Sequence, residues 1–204
     1  MTQKSNLSRL LLPLVLVMAL VTTVPAAHAA PLLDASARVV ETEQEIKNAM
    51  ARWIAAVTGK TSADLVNLVD FDSALYYLRL RDLALTANAD ELSQLSEVDQ
   101  LQVMFFRLMV DGQQLRIMSA QQLLAFAVEK GFIGMELRRG DLLDDIRFSD
   151  DTATGRLLKF GRADRPDRYR QYLVKEQGGW RVSLQGERER LEGEFDGFAQ
   201  RSGL

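Results

Sequence analysis

Two adjacent phenols, Tyr76 and Tyr77, stand within a few residues of the carboxylates Asp72 and Asp82, a grouping that could move a proton. Such groups catalyse only from a pocket that brings their pKa toward the working range. The plainer account is that one tyrosine packs inward while the other faces water. Asp141, Asp144 and Asp145 offer the hard oxygens that Ca²⁺ takes, but they lack the spaced ligand set of a calcium loop. Solvated turn residues explain them as well. Arg162, Arg165, Arg168 and Arg170 bracket Pro166, and four guanidinium groups near one hairpin could clamp a phosphate or carboxylate through paired N–H donors. Arg168 and Arg170 fall on one face of a strand, while Asp164 and Asp167 can balance the same charge as a solvated loop. Trp53, Phe105, Tyr172 and Trp180 suit the lining of an apolar pocket, and a filled core uses the same residues.

Much chemistry is absent from the chain. Its single histidine is His28, and it has no cysteine. There is no glycine-rich phosphate loop, no Ser-His-Asp set and no zinc spacing. The residues thus call for no metal or other cofactor, and no catalytic residue is assigned.

Even His28 belongs to a segment that reads as removable. Lys4 and Arg9 precede an apolar run from Leu10 to Val21, and Ala27-His28-Ala29 supplies the small residues of a secretory cleavage site. The run is about a dozen residues, short of the ~20 that span a bilayer. Residues 1–29 therefore read as a signal peptide cut before Ala30, the mature protein as periplasmic or secreted, without a stable membrane span. Losing Lys4 and Arg9 leaves 28 acidic residues against about 23 basic ones, a net charge of about −5. A nucleic-acid surface would need a basic excess, so no nucleic acid is expected. Without disulfides, stability must come from an ordinary core, and one domain suffices at this length.

The elements that must position these side chains change character midway. Ile46, Met50, Trp53, Ile54 and Val57 lie on one helical stripe, with Thr42 and Glu45 spaced as a capping box and Gly59 as the stop. Ser62 can cap a short helix carrying Leu65, Val66 and Val69, and a weaker helical pattern runs through Leu75, Leu78 and Leu83. Ser96 opens a helix with Val98, Leu101, Phe105 and Leu108 on one face, closed by Asp111-Gly112. Ser119 and Gln122 repeat the capping-box spacing ahead of Leu123, Leu124, Ala127 and Val128, and Gly131 ends that helix. From Asp141 the period falls to about two, predicting strands near Ile146–Phe148, Thr152–Phe160, Tyr169–Lys175 and Trp180–Leu184, the last pair joined by Gln177-Gly178-Gly179. Leu191, Phe195 and Phe198 then mark a terminal helix that Gly186, Gly193 and Gly197 weaken, so it needs docking to persist.

Helices first, then an antiparallel meander ending in Lys175-Glu176-Gln177-Gly178-Gly179-Trp180-Arg181-Val182, is an order that resembles the NTF2-like (SnoaL-like) cone-fold superfamily. Asp150-Asp151-Thr152-Ala153-Thr154 resembles that family's preceding hairpin. The resemblance implies an α+β fold, N-terminal helices packed on a curved antiparallel sheet, over residues 41–185. A linker at 30–40 precedes it and a C-terminal helix and tail at 186–204 follow. It further implies a sheet wrapped around a pocket and a possible homodimer, but no one activity, because the fold hosts enzymes, carriers and inactive modules alike. The expected function is a non-enzymatic exported module that binds a small apolar or anionic ligand or a protein partner. Its candidate contacts are Trp53, Phe105, Tyr172, Trp180, Arg168 and Arg170. A periplasmic carrier of a lipid or other small apolar molecule, and a small isomerase or hydrolase using Asp/Tyr chemistry, are the alternatives.

Overall fold

The change of period at Asp141 is where helices give way to strands. A computed structural model describes residues 30–59, 64–158 and 170–202, and the expected signal segment lies outside them. The chain divides into two units, Met1–Val39 and Val40–Leu204. Helix α1 (Ala30–Gly59) is continuous, so the expected linker at 30–40 has helical backbone and Thr42 and Glu45 lie inside the helix rather than at its start. Gly59 is its last residue. Ile46, Met50, Trp53, Ile54 and Val57 are all buried, as one stripe at helical spacing requires.

Ser62 lies outside the described residues; α2 (Leu65–Leu68) is entered through Asp64 in the left-handed region. Val69 is not helical but makes a parallel bridge to Val182, and Asp70 N–H donates to the Val182 carbonyl at 3.0 Å. The Asp70 carboxylate then caps α3 (Phe71–Thr86) by accepting from Ser73 N–H, and Ser73 Oγ accepts from Leu184 N–H at 2.9 Å. These tethers fix how α3 is rotated. It buries Ser73, Ala74, Tyr77, Leu80 and Ala84, while Leu75, expected on the inner stripe, is exposed.

Asn88 and Glu91 form a capping box on the short α4 (Ala89–Ser93), which the apolar pattern does not announce. Ser96 caps α5 (Glu97–Met109) by accepting from Asp99 N–H, as expected, but the face is turned. Val98, Gln102, Val103 and Phe106 are inside, whereas Leu108 is 77% exposed and Leu101 is also exposed. Asp99 must meet Tyr76 on α3, and Arg107 donates to the carbonyls of Leu83, Ala84 and Ala87, so polar bonds at both ends select the rotation. Asp111 caps α6 (Gly112–Ile117) instead of merely closing α5. In α7 (Ala120–Glu129) the Ser119/Gln122 capping box is present and Leu123, Leu124, Ala127 and Val128 are buried. Gly131 follows at φ 80°, conformationally open to glycine.

Strands β1 (Leu142–Phe148), β2 (Thr152–Leu158), β3 (Arg170–Glu176) and β4 (Gly179–Ser183) form an open antiparallel sheet in sequence order. Gly178 and Gly179 both have positive φ at the last hairpin, where a side chain would strain the turn. The helices pack against this sheet, making the α+β architecture, and the Val69 bridge covers part of the β4 edge. Leu143, Ala153, Leu157, Leu173, Trp180 and Val182 face inward and join the helices' apolar stripes in one core. Gly155 is part of that fit: an added Cβ there would come within 2.9 Å of three Leu143 side-chain atoms. Opposite Gly155, β1 spends two residues, Asp145 and Ile146, so the alternation expected there is broken by a bulge. Helix α8 (Gln185–Ser202) follows β4 directly.

Candidate functional site

Alternation along β3 sends Leu173 to the core and Arg170 and Tyr172 to the opposite face. Helix α8 passes against that face. Gly186 is the point of closest approach, since a Cβ there would stand 1.9 Å from Tyr172 Cδ2. Two turns further on, Gly193 has open space beside it. Between strand and helix runs an open groove of about 390 Å³, floored by Arg170 and Tyr172 and walled by Gly186, Glu189, Arg190, Gly193 and Glu194. Its size falls in the range of small-ligand sites, though its lining is unusually charged.

Polar contacts from Glu187, Arg188 and Arg190 to other elements hold the helix in place. Glu187 Oε1 accepts from Gly134 N–H at 3.0 Å, in the turn between α7 and β1. Burial pushes the Glu187 carboxyl up to about 7; nearby Glu136 adds to the rise, while the Gly134 N–H and Arg190 oppose it. Arg190 stands 3.4 Å from Glu136 and 2.9 Å from Glu194. The Arg188 guanidinium lies over the Tyr76 ring at 5.3 Å.

Tyr76 and Tyr77 meet edge to face at 5.5 Å. Tyr76 does find a carboxylate, but it is Asp99 of α5, whose Oδ1 accepts the phenol proton at 2.5 Å. Asp72 is exposed in the first turn of α3, and Asp82 pairs with Arg81. Burial, the donation to Asp99 and the Asp99 charge all push the Tyr76 phenol up, so it is a firmly protonated donor. Burial likewise raises Tyr77 well above its ordinary value. The Tyr76–Asp99 bond ties α3 to α5 and does not line the groove.

The four aromatic candidates are not gathered around one space. Trp53 is 1% exposed within the core, and Trp180 is buried there with Lys175 Nζ 5.7 Å from its ring centre. Phe105 lies half-buried against Phe132 and Phe126, with ring centres 3.7 and 5.5 Å away. Tyr172, 39% exposed, is the one at the groove. Of the arginines, Arg170 is at the groove, while Arg162, Arg165 and Arg168 lie outside the described residues. Asp141 is buried and its Oδ2 accepts from Arg138 N–H; Asp145 pairs with Arg170. Among the described residues no three side chains form a metal-ligating group.

The α8 wall escaped the sequence reading, although its signal was present: Gly186 and Gly193, seven apart, fall on one helical face. No protein-family model, curated protein or solved structure matches the chain.

Proposed function

We propose that this protein is an exported, non-enzymatic binding module of the NTF2-like kind, and that its ligand or partner enters the groove between β3 and α8. One observation carries the reading: the inward face of the sheet is occupied by core side chains, while an open groove of about 390 Å³ lies on the face that Tyr172 shares with α8. A half-exposed tyrosine beside paired charges suits a ligand with both apolar and ionised parts. Four charged residues in the lining make a purely aliphatic lipid chain a poor occupant. The competing enzymatic reading draws on Tyr76 and Tyr77 with Asp72 and Asp82, and against it the Tyr76 phenol is committed to Asp99 in a bond between helices, Asp72 is exposed and Asp82 pairs with Arg81.

Gly193 provides the test, because its missing side chain leaves space rather than a contact. Native mass spectrometry of the exported protein from its own source should show a retained mass that Gly193→Trp, which fills the groove, removes. Identical spectra for both proteins, with the variant folded by circular dichroism, would overturn the reading.

A further inference from the structure

The β1 bulge concentrates charge on the face of the sheet turned from the core. Asp145 there has φ 47°, a left-handed conformation that aspartate tolerates better than most residues. Its Oδ2 takes Arg170 Nη2 at 2.5 Å and stands 3.6 Å from Arg147 Nη2. Arg156 also acts on this carboxylate, and these guanidiniums, led by the Arg170 hydrogen bond, hold Asp145 below the usual carboxylate range.

Arg156 itself is poorly accommodated. It is the cross-strand partner of Arg170, and like charges placed directly opposite each other repel. Asp144, its neighbour in register on β1, is exposed and makes no ion pair with it among the described residues. The Arg156 Nε is buried without a hydrogen-bond partner. Among the described residues, Arg156 therefore keeps a desolvated donor that no carboxylate receives. A buried, unanswered donor is costly, and the planar fork of arginine matches the paired oxygens of a phosphate or carboxylate.

We propose that Arg156, together with Arg147 and Arg170, forms an oxyanion site on the outer face of the sheet, which takes a phosphate or carboxylate group, and that Asp145 is the internal counter-anion limiting its affinity. Asp145 already answers Arg170, so the incoming group bonds to Arg156 and to Arg147, whose side chain is 72% exposed and exchanges its 3.6 Å ion pair with Asp145 for the anion. This goes beyond the groove reading: the two sites share Arg170, but Arg156 and Arg147, which bond the anion, do not line the groove.

The two arms of the test have opposite signs. Titration calorimetry of the full chain with inorganic phosphate, and separately with acetate, at matched low ionic strength should give saturable single-site binding. Arg156→Gln should weaken it about tenfold, the loss of one charge-assisted bidentate contact. Asp145→Asn, which keeps the left-handed conformation accessible, should tighten it about tenfold by removing the competing charge. Gly193→Trp should leave it unchanged. A response to both anions no different from that to sodium chloride would overturn the proposal. So would an Arg156→Gln variant, folded by circular dichroism, that binds like the parent. Loss of phosphate binding in Gly193→Trp would overturn it as well, by moving the ion into the groove. A retained native ligand abolished by Gly193→Trp, with anion titration intact, would support both readings separately.

Discussion

The two faces of the sheet are built on opposite terms. On the inner face Leu143 lies over Gly155, and Leu173 and Val182 stand side by side beneath the helices. On the outer face like-charged arginines oppose each other, a bulged aspartate answers one of them, and one helix crosses without closing the space beneath it. Packing density stabilises the first; the second keeps polar groups short of partners. Under the proposed reading, cohesion is concentrated on the inner face and the outer face is left for a ligand.

Breaking the inner face should have the largest effect. Leu173→Ala removes a fully buried side chain and should cost about 2–5 kcal/mol, read by urea denaturation, without changing groove occupancy in the surviving folded fraction. An equal loss of occupancy would mean that the two faces are not independent. Gly186→Ala comes next. The added methyl meets the rigid Tyr172 ring, and overpacking of this kind should cost about 1–3 kcal/mol and loosen α8, visible as faster amide exchange across residues 185–195.

Glu187 sharpens the comparison through pH. Its folded pKa of about 7 lies above the ordinary 4.5, so the folded state favours the neutral acid. The resulting stability is whole below about pH 4.5 and is lost as pH rises through about 7. Thermal midpoints should therefore fall across that window. Glu187→Gln, which keeps an acceptor for Gly134 N–H, should flatten the fall; an unchanged slope would assign the pH dependence elsewhere. The smallest effect is expected at Gly193→Ala, which meets nothing and replaces a helical glycine. It should raise stability by up to about 1 kcal/mol, the reverse of its counterpart seven residues earlier.

Local chemistry made part of this legible in the sequence. Ser96, the Ser119/Gln122 box, Gly59 and the Gly178-Gly179 turn act over three or four residues, and each stands where its spacing indicates. Helix faces were less legible. Helix α5 carries apolar residues on two adjacent stripes, and pattern alone preferred Leu101 and Leu108 to Val103 and Phe106. The candidate site was read only in part. Arg170 and Tyr172 were visible as strand neighbours, but Trp53 and Trp180 gave the same apolar signal whether they lined a pocket or filled a core. Arg156 carried no signal, since its significance lies in what faces it across the ladder.

By itself, then, the sequence determined the class of the fold, the succession of longer helices, four antiparallel strands and a terminal helix, and the absence of imidazole and thiol chemistry beyond residue 29, because these depend on residue type and on periods of two and 3.6. Tertiary structure alone decided which face of α3 and α5 is inward, that Tyr76 answers Asp99, that β1 bulges at Asp145, and that α8 leaves a groove over Tyr172. Each of those depends on groups distant in the chain competing for the same partner or the same space, and periodicity carries no record of that competition.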